Sequence, residues 1–127
     1  MIKNIWPYGI GLGNNAFSHS YRPYAYEAVI APHSHNTFLH VMCESGIFGF
    51  IIFVLLLYFI LRQLFTSYKE AECKSVKTMA AAVVCAVLAL MVQAIFDNTM
   101  YNYRMYMMFF ALLAISSALY TVRKEKI

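Results

Sequence analysis

Three long stretches of this chain carry no charge, and they constrain the fold more than any other feature. Residues 45–61 lie between Glu44 and Arg62, residues 78–96 between Lys77 and Asp97, and residues 105–122 between Arg104 and Arg123. Each approaches the roughly 20 residues a helix needs to cross about 30 Å of hydrocarbon. Only 13% of the chain is charged, about half of what a soluble domain carries. The expected fold is an all-α integral membrane protein with three transmembrane helices preceded by an irregular external loop. The expected division is an external loop over 1–35, helices over 36–65, 78–96 and 105–122, connections at 66–77 and 97–104, and a tail at 123–127.

The net charge of +4 is not a nucleic-acid footprint, because the cations sort by loop. Arg62, Lys69, Lys74 and Lys77 lie between the first two spans, and Arg123, Lys124 and Lys126 follow the third. Only Lys3, Arg22 and Arg104 lie on the other side. The positive-inside rule makes the 62–77 loop and the tail cytoplasmic, with the N-terminal segment and "DNTMYNYR" facing outward. The three cysteines, Cys43, Cys73 and Cys85, have no paired spacing, so a disulfide framework is not expected. The N-terminus has no apolar signal region, although the topology places it outside. That combination is expected of the C-terminal part of a larger multi-pass protein whose upstream helices carry this loop across.

The external segment is turn-rich. "WPYGIGLGNNAF" holds Pro7, Gly9, Gly11, Gly13 and the Asn14–Asn15 pair, and Tyr21, Tyr24 and Tyr26 suit the membrane interface. Gly9, Gly11 and Gly13 do not make a dinucleotide loop, because the spacing is wrong and no strand precedes them. Ser34 and Asn36 are both acceptable N-caps for the first long helix. Small residues recur at Ala81, Cys85 and Ala89 and at Ala111, Ala114 and Ala118, stripes that let helices approach closely in lipid.

Chemistry concentrates where the loop meets the first helix. His33, His35, His40 and Glu44 crowd into residues 33–44. His40 and Glu44 share a helix face as i,i+4 neighbours. His35 sits at the helix N-terminus, where an imidazole can serve as general base or acid or, more simply, be an interfacial polar residue. Glu44 is costly at the outer end of an apolar helix unless it pairs with His40 or reaches the interface. These are metal-ligand types, but the spacing matches no zinc motif, and no metal or cofactor is expected. Arg22 and Arg104 are the only outward arginines and the natural partners for a phosphate, with an Asp97 contact the simpler role for Arg104.

The pattern Gly11, Gly13 and Phe17, then His35–Asn36, Leu39, Glu44, Gly46 and Gly49 entering a transmembrane helix, resembles the C-terminal conserved region of the bacterial O-antigen ligase/O-antigen polymerase family. "FDNTMYNYRMYMMFFALLAI" is similar to that family's last short external loop and final helix. The resemblance extends over most of the chain, but family members have many more helices. An arginine expected just before the glycine turn is replaced by nothing more basic than Lys3. It implies a metal-independent glycosyltransferase of the bacterial cytoplasmic membrane, with its active loop outward. The enzyme would move a glycan from an undecaprenyl-pyrophosphate carrier to a sugar hydroxyl acceptor. Carried onto this chain, His35 is the base and Arg22 and Arg104 hold the pyrophosphate, supported by Asn36, Glu44, His33, Gly11 and Gly13. The competing expectation is a small non-catalytic membrane protein whose external His/Tyr-rich tail binds a partner or a lipid headgroup.

Overall fold

The computed structural model describes residues 1–13, 15–26, 29 and 31–124. Asn14 of the asparagine pair and Lys126 of the basic tail lie outside the described residues. Among the described residues the chain is helices and turns without a strand. In order these are α1 (Ile2–Ile5), α2 (Ala16–Tyr21), a 3-10 turn (Arg22–Tyr24), α3 (Thr37–Glu70), α4 (Lys74–Phe96), a 3-10 turn (Thr99–Tyr101) and α5 (Tyr103–Val122). Helices α3, α4 and α5 are each long and apolar enough to cross a membrane. The chain is an all-α membrane protein.

Helix and apolar stretch do not share boundaries. Residues 66–70 continue α3 and residues 74–77 open α4, so only 71–73 are non-helical in the polar connection. Helix formation in polar flanks costs nothing in backbone satisfaction, so the helices outlast the uncharged runs. The chain divides into two compact units, residues 1–54 with 93–101, and residues 55–92 with 102–127.

The first unit is organised around a break in α3. Gly46 has φ 66° and ψ −169°, a backbone conformation essentially restricted to glycine. The break leaves polar backbone groups unpaired at the apolar end of the helix, where each costs several kcal/mol. The N-terminal segment supplies the partners. Ile10 N–H donates to the Cys43 carbonyl at 2.8 Å and Gly11 N–H to the Glu44 carbonyl at 3.0 Å. On the far side Ile47 N–H donates to the Trp6 carbonyl at 2.8 Å. The two backbones approach so closely that a Cβ on Gly46 would sit 2.6 Å from the Pro7 carbonyl oxygen and 2.8 Å from Gly9 N. Gly9, at φ 73°, faces the same constraint, since its Cβ would meet Gly46 N at 2.6 Å. The break also resolves the length of α3. Its 34 residues would run about 51 Å as one rod, whereas the part after Gly46 runs about 36 Å, close to a bilayer.

In the second unit, Leu57, Ile60, Leu64 and Ser67 of α3 are buried, with Val76, Ala80, Val83 and Val87 of α4 and Phe109, Ser116 and Leu119 of α5. Ser116 Oγ lies 3.4 Å from both the Ile60 carbonyl and Gln63 Oε1, a polar tie between α3 and α5. Arg123 Nε donates to Glu70 Oε2 at 2.9 Å, and Arg123 also reaches the Tyr120 carbonyl. The buried face of α4 is not the small-residue stripe. Cys85 and Ala89 are exposed and Ala81 half-buried, and Ala111, Ala114 and Ala118 of α5 are all exposed. The buried face of α4 in this unit is instead Val76, Ala80, Val83 and Val87.

Gly46→Ala places a side chain in a glycine-only conformation and against the 7–9 backbone. We expect a loss of about 2–4 kcal/mol, combining strain with steric displacement. Thermal unfolding in detergent against Gly13→Ala checks this, since a Cβ at Gly13 meets only Ala16 Cβ at 3.9 Å.

Candidate functional site

The site of interest lies in the first unit, where the loop before α3 meets the loop after α4. Thr37, fully buried, is its organising residue. Its hydroxyl donates to the Asp97 carbonyl at 3.1 Å and accepts the Thr99 N–H at 2.9 Å. With its proton committed to Asp97, it accepts from the Thr99 hydroxyl at 3.1 Å. Asn36 adds two further ties. Its Oδ1 accepts Leu39 N–H at 2.9 Å, capping α3, and its Nδ2 donates to the Ile95 carbonyl at 2.9 Å. Asn36 rather than Ser34 is thus the N-cap, and Ser34 Oγ instead donates to the Asn36 carbonyl at 2.9 Å.

These ties carry His33, His35 and Asp97 to one place. His35 Nδ1 lies 3.3 Å from Asp97 Oδ1, with both side chains more than half exposed. The same carboxylate oxygen accepts Asn98 N–H at 2.8 Å. That backbone N–H, and after it the His35 hydrogen bond, hold the Asp97 carboxyl below its ordinary value, so it stays an anion. His33 Nδ1 lies 3.1 Å from the Ser34 carbonyl, and its ring stands 5.1 Å from that of His35 and 4.2 Å from that of Tyr101. An imidazole whose Nδ1–H is held by a carboxylate presents Nε2 as a lone pair, the arrangement of a general base.

A second polar pair lies deeper. His40 Nε2 and Glu44 Oε1 are 3.3 Å apart and mostly buried. The Phe17 ring covers His40 at 5.2 Å and stacks on Tyr21 at 5.7 Å. Glu44 therefore does not stand alone in apolar surroundings. His40 Nδ1 is buried without a hydrogen-bond partner among the described residues.

The other candidates fall elsewhere. Gly11 is part of the seal over the α3 break, through its N–H to Glu44. Gly13 accepts Ala16 N–H at 3.2 Å at the start of α2. Arg22 begins the 3-10 turn and lines a polar cavity of about 190 Å³ with Asn15, Ser18 and His19. Arg104 belongs to the second unit, exposed in the first turn of α5, where Asn102 Oδ1 caps its N–H at 3.0 Å. Asp97, in the first unit, takes His35 as its side-chain partner. The residue that sequence reasoning missed at this site is Asp97. It stood out as the charge ending the second apolar stretch and as a contact for Arg104, but pairing with His35 across 62 positions leaves no local pattern.

No family model, curated protein or solved structure matches this chain.

Thr37→Val removes the acceptor of a buried N–H while keeping the shape of the side chain. We expect a loss of about 1–3 kcal/mol, read as a lowered midpoint of unfolding in detergent. The same variant should weaken the His35–Asp97 contact, visible as a shifted His35 ring resonance.

Proposed function

We propose that the chain is a membrane glycosyltransferase of the O-antigen ligase/polymerase type. In this reading it lies in the bacterial cytoplasmic membrane with residues 1–35 outward, and transfers a glycan from an undecaprenyl-pyrophosphate carrier to a sugar hydroxyl. The observation that carries the reading is the His35–Asp97 contact at the mouth of the apolar helices. Asp97 orients the imidazole so that Nε2 can take the proton of the acceptor hydroxyl as its oxygen bonds to the anomeric carbon. The bond from that carbon to the pyrophosphate oxygen breaks in the same event. The leaving pyrophosphate needs cations, and fixed guanidinium groups serve that end without a metal. Arg22, with no carboxylate partner among the described residues and a polar cavity beside it, is the first candidate, and Arg104 the second. Further support is that two parts of the resembling motif meet in space, Gly11 N–H donating to the Glu44 carbonyl while the Gly46 backbone packs against residues 7–9.

One observation favours the competing reading of a partner- or headgroup-binding tail. Trp6, Tyr8, Tyr24 and Tyr26 are exposed on the N-terminal segment. His35→Ala separates the two. The side chain is exposed, so folding should survive. A general base contributes about 10²–10⁴-fold, and transfer of lipid-linked glycan should fall by at least about 100-fold. Unchanged transfer, or none by the parent protein, would favour the tail-binding reading.

A further inference from the structure

We propose that His33, His35 and Asp97 form a binding site for one divalent transition-metal ion, with Zn²⁺ the preferred probe. One ring nitrogen from each histidine and a carboxylate oxygen of Asp97 lie within 4.8 Å of one another. Tetrahedral zinc with bonds of about 2.0–2.1 Å holds its donors about 3.3 Å apart. Rotation of the exposed His35 and Asp97 side chains toward the half-buried His33 covers that difference without moving the backbone. The proposal shares His35 with the transferase reading but does not rest on it.

Sequence spacing argued against a metal because it weighed His33, His35, His40 and Glu44 together. The converging set is different: Asp97 replaces the deeper His40–Glu44 pair, which is engaged with itself. Two imidazoles with one carboxylate suit a borderline metal rather than Mg²⁺ or Ca²⁺, which prefer all-oxygen shells. The supporting contacts are those that metal ligands use. His33 Nδ1–H points to the Ser34 carbonyl at 3.1 Å, leaving Nε2 free to bind and fixing the tautomer. The Tyr101 ring limits the swing of the His33 ring. Asp97 is anchored by Asn98 N–H through one lone pair and keeps others for an ion. The hydrogen bonds of Thr37 and Asn36 hold the two loops together beneath the site. Exposure of His35 and Asp97 leaves room for water as the fourth ligand. A bound ion takes an imidazole lone pair, so a metal-loaded His35 and a His35 acting as base are alternative states of one residue.

The test uses the full chain in detergent, stripped with EDTA and titrated with ZnCl₂ by calorimetry. We expect one Zn²⁺ per chain, with His33→Ala and Asp97→Asn each weakening it by about 10-fold or more at unchanged helicity. A second readout needs no variant. Zn²⁺ should protect His33 and His35 of the parent protein from diethyl pyrocarbonate, while exposed His19 reacts as before. No saturable binding, binding that survives both substitutions, or unprotected labelling of His33 and His35 would overturn the site. Both readouts use resting protein without glycan, and transfer is assayed in EDTA, so the two proposals fail separately.

Discussion

The hydrogen bonds between the 6–11 turn and the broken start of α3 are the contact on which the first unit depends. A helix entering hydrocarbon cannot leave carbonyls and N–H groups unpaired, since no water is there to accept them. Gly46 creates that problem by leaving helical geometry, and the backbone of Trp6, Ile10 and Gly11 answers it. Two glycines are required because the approach is backbone on backbone, at distances where any Cβ collides. The N-terminal segment is therefore a part of the helix end rather than a tail beside it. Residues 37–45 form a short helical cap over the spanning part of α3.

That cap sets the stage for the polar chemistry. The apolar spans below it provide no place for charge, so titratable groups collect at its edge in two layers. The deeper layer is the His40–Glu44 pair under Phe17, which keeps a carboxylate partnered next to an apolar helix. The outer layer is His33, His35 and Asp97, drawn together by a buried threonine. Thr37 acts through hydrogen bonds that one oxygen makes to Asp97 and Thr99, and it joins segments that are otherwise distant in the chain. The outer layer is the one that water and a solute can reach, through the exposed His35 and Asp97 side chains.

Much of this architecture was legible from residues alone. The three uncharged stretches announce spans because a charge inside hydrocarbon is expensive. The His40–Glu44 pair follows from helix periodicity, and Asn36 was one of two caps that local chemistry allowed. The rest depended on contacts that local pattern does not encode. Gly46 stood out as one glycine of a motif, but nothing near it says that its φ is positive or that Gly9 packs against it. Asp97 looked like the end of a span, and its pairing with His35 arises from how α4 returns to the start of α3. Small residues permit close packing without requiring it, and the buried face of α4 in the second unit is Val76, Ala80, Val83 and Val87 rather than the stripe at Ala81, Cys85 and Ala89.

The account turns on whether the 6–11 turn seals the helix break in the folded protein. Amide hydrogen exchange of the full chain in detergent, resolved to single residues, tests this directly. The account predicts strong protection at Ile10, Gly11 and Ile47, with fast exchange at the exposed Leu12 beside them. Exchange at Ile10 and Gly11 as fast as at Leu12 would contradict it, because the carbonyls of Cys43 and Glu44 would then find their partners elsewhere.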